Sequence, residues 1–146
     1  MDDRYNRSRI RLQKIILTES QKQILANHSE QENPNESCAI LFGKELQNEY
    51  KVEKVFLTEN IERSPVNFTI SADQRLDADK IEKESKLKII GIFHSHPNSE
   101  AYPSETDKKF MDINPGIWII FSGVSKNFRA FILENDIKEI PIEIEN

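Results

Sequence analysis

The strongly apolar stretch from Leu87 to Phe93 runs directly into His94-Ser95-His96-Pro97, and this junction constrains the chain more than any other segment. The apolar run reads as a strand. Side chains two positions apart on a strand point to one face, so His94 and His96 can share a single metal ion at the strand's end. They are two of only three histidines in the sequence. Seven residues separate His96 from Ser104, and two more separate Ser104 from Asp107. The polar loop to Pro103 precedes a helix opening at Ser104, whose first turn can return Asp107 to the histidines. Taken alone, Pro103-Ser104-Glu105-Thr106-Asp107 is a helix start with Ser104 as N-cap. Joined to the histidine pair it becomes a ligand set, and capping can coexist with that role.

Catalytic zinc commonly takes three N or O ligands and keeps a fourth position for water, whereas structural zinc fills all four positions, usually with Cys. His94, His96 and Asp107 match the open arrangement, and with Cys38 as the only cysteine no Cys-rich zinc module can be built. A carboxylate outside the ligand set is still needed to carry the proton. Glu36 is the candidate, standing just after Asn33-Pro34-Asn35 at the mouth of the apolar run Ser37 to Phe42. Cys38 reads as a small buried residue, on a strand face that would bring its thiol toward the metal. A Cys-His protease built on Cys38 leaves Ser104, Asp107 and the histidine spacing unexplained. There is no His-Glu-x-x-His helix, and a deaminase would need a further cysteine pair.

The rest of the chain parses as intermixed strands and helices. A polar tail over residues 1–8 precedes one domain over residues 9–146. A strand over residues 9–17 is followed by the capping box Thr18-Glu19-Ser20-Gln21 and a helix carrying Ile24, Leu25 and a surface His28, which ends near Asn33-Pro34. Residues 37–42 and 50–57 form an antiparallel pair. Residues 60–67 are a loop, and a helix over residues 71–86 shows an apolar stripe at Leu76 and Ile81. Strands at 117–122 and 128–133 follow, with a final extended piece over residues 140–144. Trp118, Phe121, Phe128 and Phe131 read as core aromatics. Without regular strand-helix alternation, the pattern predicts a curved mixed sheet flanked by helices.

Composition excludes several function classes. A net charge of −5 argues against a nucleic-acid surface, which requires phosphate neutralisation. No apolar run approaches the roughly 20 residues of a membrane span, and residues 1–11 lack a leader pattern, so the expected location is cytoplasmic.

The run Glu36-Ser37-Cys38-Ala39-Ile40-Leu41-Phe42-Gly43 resembles the glutamate-bearing motif of the JAMM (MPN+) zinc metalloproteases. His94-Ser95-His96-Pro97 to Ser104-Glu105-Thr106-Asp107 resembles their second motif at every defining position. The resemblance extends through Asn60 and Ser64-Pro65 to the strand of Trp118 and is to compact, archaeal-type members. It implies an α+β fold: a cytidine-deaminase-like layered core with a curved, mixed, largely antiparallel sheet. It also implies one Zn(2+) per chain on His94, His96 and Asp107 with a catalytic water, Glu36 as general acid/base, and Ser104 as oxyanion support. The implied activity is isopeptidase or peptidase hydrolysis after the C-terminus of a ubiquitin-like modifier, whose extended tail pairs with a sheet edge. C-terminal processing of a sulfur-carrier protein is the close variant. Relatives lacking the ligands are non-catalytic scaffold subunits, a reading that the intact ligands here oppose; membership of a larger assembly stays open. The chain offers only residues 60–73 and 107–118 as substrate-gripping connections.

Overall fold

The computed structural model describes residues 13–146, so the expected tail and the first residues of the expected opening strand lie outside the described residues. Eight strands, β1 (Lys14–Thr18), β2 (Cys38–Leu46), β3 (Glu49–Thr58), β4 (Lys88–His96), β5 (Ile117–Ser122), β6 (Phe128–Glu134), β7 (Asp136–Ile140) and β8 (Ile142–Glu145), form one sheet in the order β7-β6-β5-β4-β2-β3-β1-β8. Four of its seven pairings are antiparallel and three parallel. The expected final extended piece is two strands that meet at Pro141. Ile140 pairs with Ala130 at one edge and Ile142 with Ile15 at the other, so the sheet is nearly closed. Proline lacks the N–H a strand interior needs and is tolerated at such a junction.

Burial explains why the central strands are apolar throughout. Along β2, Ala39 and Leu41 join one cluster with Leu17, Leu25, Phe93, Ile119 and Ala130. Cys38, Ile40 and Phe42 point the other way, into a cluster with Phe68, Ala78, Met111, Trp118, Ile120 and Phe131. Both faces are covered, so alternation between polar and apolar positions disappears.

Among the described residues three helices, α1 (Glu19–Glu32), α2 (Ala72–Glu84) and α3 (Glu105–Ile113), do the covering. Helix α1 begins with the expected capping box: Gln21 N–H donates to Thr18 Oγ1 at 3.0 Å, and Thr18 N–H to Gln21 Oε1 at 2.9 Å. Two local expectations are corrected. His28 is half-buried, its Nε2 lying 3.0 Å from Cys38 O and 3.1 Å from Thr58 O, because α1 turns that side toward the sheet. In α2 the packed positions are Ala78 and Ile81, while Leu76 is 65% exposed; the small Ala78 lets the helix approach the sheet.

Strand β4 pairs antiparallel with β2 and parallel with β5. Gly91 opposes Ile117 in the second pairing, where a Cβ on residue 91 would stand 2.1 Å from Ile117 O. Backbone cannot yield as a flexible side chain would, so Gly91→Ala should destabilise the fold by about 3 kcal/mol or more, comparable to or above ordinary overpacking. Urea denaturation checks this; an unchanged midpoint would show that β4 and β5 can separate there.

Candidate metal centre

The site lies where β4 ends, between the start of β2 and the first turn of α3. His94 and His96 share one side of β4, whereas Ser95 faces the other side, toward α1. The β2–β4 register sets Cys38 against His94, and Ser95 N–H donates to Ser37 O at 3.1 Å. Extending that antiparallel ladder places Glu36 across from His96. Helix α3 supplies the remaining carboxylate through its capping box: Asp107 N–H donates to Ser104 Oγ at 3.0 Å, and Ser104 N–H to Asp107 Oδ2 at 2.9 Å. The bland role of Pro103–Asp107 as a helix start and its place in the site are therefore fulfilled by the same atoms.

The geometry is tight. His94 Nε2 lies 3.1 Å from His96 Nε2 and 3.1 Å from Asp107 Oδ2, and His96 Nε2 lies 3.0 Å from the same oxygen. Glu36, His94 and His96 each offer a ligand atom within 4.8 Å of the others. Two different triads are thus available: Asp107 Oδ2 stands at 3.0 to 3.1 Å from both imidazoles, and a Glu36 oxygen within 4.8 Å of them. All four side chains are buried. Glu36 Oε1 has no hydrogen-bond partner, and a buried carboxylate oxygen left so is costly unless something absent from the polypeptide meets it.

Supporting groups tune these ligands. His96 Nδ1 lies 2.8 Å from Glu100 O, which makes Nδ1 a donor and turns Nε2 toward Asp107 and His94. The Phe68 ring stacks on His94 at 4.8 Å and 25°, and Trp118 meets His94 edge-on at 5.6 Å. Complete burial holds His94 below the usual imidazole range against the pull of Asp107. For His96 burial acts in the same direction, but its bonds to Asp107 and Glu100 O outweigh it and raise the group. Burial alone would raise Asp107, yet the bonds from both imidazoles hold it well below the carboxylate range. Once neutral, two imidazoles around one carboxylate are a donor set for a metal cation.

Structure brings together His94, His96, Asp107 and Glu36, with Ser104 exposed at the rim. Cys38 is wholly buried, accepts from Thr58 Oγ1 at 3.2 Å and belongs to the core rather than to the ligand group. Phe68 and the Glu100 carbonyl escaped sequence reasoning. A lone aromatic after a loop and a backbone oxygen carry no local signal. Trp118, assigned to the core, is buried but also forms part of the histidine wall.

Burial, with smaller charge effects around it, pushes the Glu36 carboxyl from 4.5 up to about 8. In metal-free protein the folded state therefore keeps a proton that the unfolded chain has already released across pH 4.5 to about 8. Stability should fall as pH rises through that window, since the folded state then binds more protons than the unfolded one. Denaturation of the metal-free protein across this range should show the decline and Glu36→Gln should flatten it; equal slopes would remove Glu36 as its source.

Comparison with known proteins agrees with this arrangement. Residues 18–134 match the family model described as prokaryotic homologs of the JAB domain, a span that includes all five candidate positions. The desampylase of Pyrococcus furiosus is 36% identical over 112 residues, covering 75% of this chain and 76% of that protein. The CysO-cysteine peptidase of Mycobacterium tuberculosis is 32% identical over 82 residues, covering 56% of this chain and 55% of that protein. The solution structure of protein DSY2949 from Desulfitobacterium hafniense superposes with a TM-score of 0.83 at 28% identity, covering 90% of this chain and 93% of that one. With the fold, the buried ligand cluster and the family match in agreement, the chain belongs to the prokaryotic JAB family and is a JAMM-type metallopeptidase.

Proposed function

We propose that the chain is a zinc-dependent isopeptidase or peptidase that hydrolyses the bond following the C-terminus of a ubiquitin-like modifier, with one zinc ion held by His94, His96 and Asp107. The observation that carries this reading is the triangle of His94 Nε2, His96 Nε2 and Asp107 Oδ2, with sides of 3.0 to 3.1 Å. Ligands at roughly 2.0–2.2 Å in tetrahedral geometry stand about 3.3–3.6 Å apart, so a few tenths of an ångström of outward movement fit this triangle to zinc. The names of two relatives, a desampylase and a CysO-cysteine peptidase, support the substrate class. Among the described residues no helix is long and apolar enough to cross a membrane.

When bound, the metal supplies Lewis-acid polarisation of the scissile carbonyl and acidifies water. Glu36 takes a proton from the attacking water and returns it to the leaving amine, a role suited to a buried carboxyl with raised proton affinity. Ser104 Oγ already accepts from Asp107 N–H, so its own O–H is free to donate to the developing oxyanion.

Glu36→Gln should keep the fold and about one zinc per chain while turnover falls roughly 10²–10⁴-fold; cleavage at the original rate would remove Glu36 from the chemistry. His94→Ala should instead lose the metal, as read by elemental analysis of protein purified without chelators. Incubation with isopeptide-linked and linear C-terminal fusions of a ubiquitin-like protein, with products identified by mass, separates modifier removal from carrier processing. Cleavage of neither would overturn the substrate class.

A further inference from the structure

Glu36 must be held in place without help from one of its own carboxylate oxygens, because Oε1 has no partner. Its position is therefore set largely by backbone. The Glu36 N–H donates to Ser64 O at 2.8 Å, and Glu36 O accepts from Asn60 Nδ2 at 3.0 Å. Both contacts come from one loop, residues 60–70, which also carries the Phe68 ring stacked on His94.

Asn60 is the hub of that loop. It is 2% exposed, although its neighbours Glu59 and Ile61 are exposed. Its Nδ2 donates to Glu36 O and, at 2.9 Å, to Asn67 O. Its Oδ1 accepts from Glu62 N–H and Thr69 N–H, each at 3.1 Å. All four hydrogen-bonding positions of the amide are thus occupied, three within the loop and one on Glu36. Among the described residues no other side chain bonds the Glu36 backbone. A fully satisfied buried network of this kind rigidifies what it joins.

We infer that Asn60 is a positioning residue that locks the 60–70 loop to the Glu36 backbone, so that the loop walling the site and the proton-carrying carboxylate hold one geometry. Resting on the proposed role of Glu36, this extends that role to a residue outside the metal site. Substrate pressing on the loop would then be felt at the carboxylate, and loosening the loop would misplace it.

The test compares Asn60→Ala with Gln74→Ala in the full chain. Gln74 is a control: its Oε1 accepts from Glu59 N–H at 2.7 Å, anchoring the same stretch without touching Glu36. With zinc bound, Asn60→Ala should lower kcat roughly tenfold to hundredfold, with KM and zinc content unchanged, while Gln74→Ala keeps kcat. In metal-free protein, hydrogen exchange at the Glu36, Glu62 and Thr69 amides should quicken together in Asn60→Ala, whereas Gln74→Ala quickens Glu59 alone. A raised KM at unchanged kcat would reduce Asn60 to shaping a binding loop and overturn the proposal. Unchanged exchange at Glu36 would overturn it too. Should Asn60→Ala fail to fold, Asn60→Asp preserves the acceptor side and removes the donors, so kcat should fall and the Glu36 amide quicken as above while the Glu62 and Thr69 amides stay protected. If the wild type cleaves no substrate, the functional reading fails, and the exchange arm still decides the coupling.

Discussion

The antiparallel register between β2 and β4 is the constraint on which the rest of the site depends. Setting Cys38 against His94 carries Glu36 to the level of His96 and leaves Ser37 and Ser95 exchanging bonds on the opposite side. A slip of one residue would send both histidines to the α1 face and Ser95 toward Asp107. The register is secured because both faces of these strands are buried: Ala39 and Leu41 fit one core, Cys38, Ile40 and Phe42 the other. Hydrophobic packing through the whole sheet thus fixes the placement of a few polar atoms at its end.

Those polar atoms carry a large electrostatic load. Four buried titratable side chains converge with few compensating hydrogen bonds, and their shifts run in opposite directions: Glu36 and His96 up, His94 and Asp107 down. Such divergence arises where burial penalises charge and neighbouring groups restore it selectively. The cluster is expensive as a purely structural feature, and groups so perturbed are characteristic of functional sites. A cation among the ligands would relieve the strain, which connects stability, pH and metal binding in one set of residues.

Support around the centre is graded. A helix N-terminus holds Asp107, a backbone carbonyl sets the His96 tautomer, aromatic rings wall His94, and Asn60 with Ser64 holds the Glu36 backbone. Each is a rigid or fully bonded element, as preorganised chemistry requires. The nearly closed sheet, with β7 and β8 meeting at Pro141, provides the common frame.

The amino-acid sequence by itself determined the elements and the ingredients. Period-two placement put His94 and His96 on one face, the Thr18 and Ser104 caps marked helix starts that are observed, and two separate motifs supplied the five candidate positions. These signals are local, since strand alternation and capping act over a few residues. Tertiary structure decided what depends on distant parts of the chain. It turned His28 inward, left Leu76 outside, split the last strand at Pro141, and brought Phe68 onto His94. It also set the distances, with Asp107 Oδ2 at 3.0 to 3.1 Å from both imidazoles and a Glu36 oxygen within 4.8 Å of them. The difference lies in range: local hydrogen bonding and periodicity are written in neighbouring residues, whereas burial and contact emerge only when the sheet closes around them.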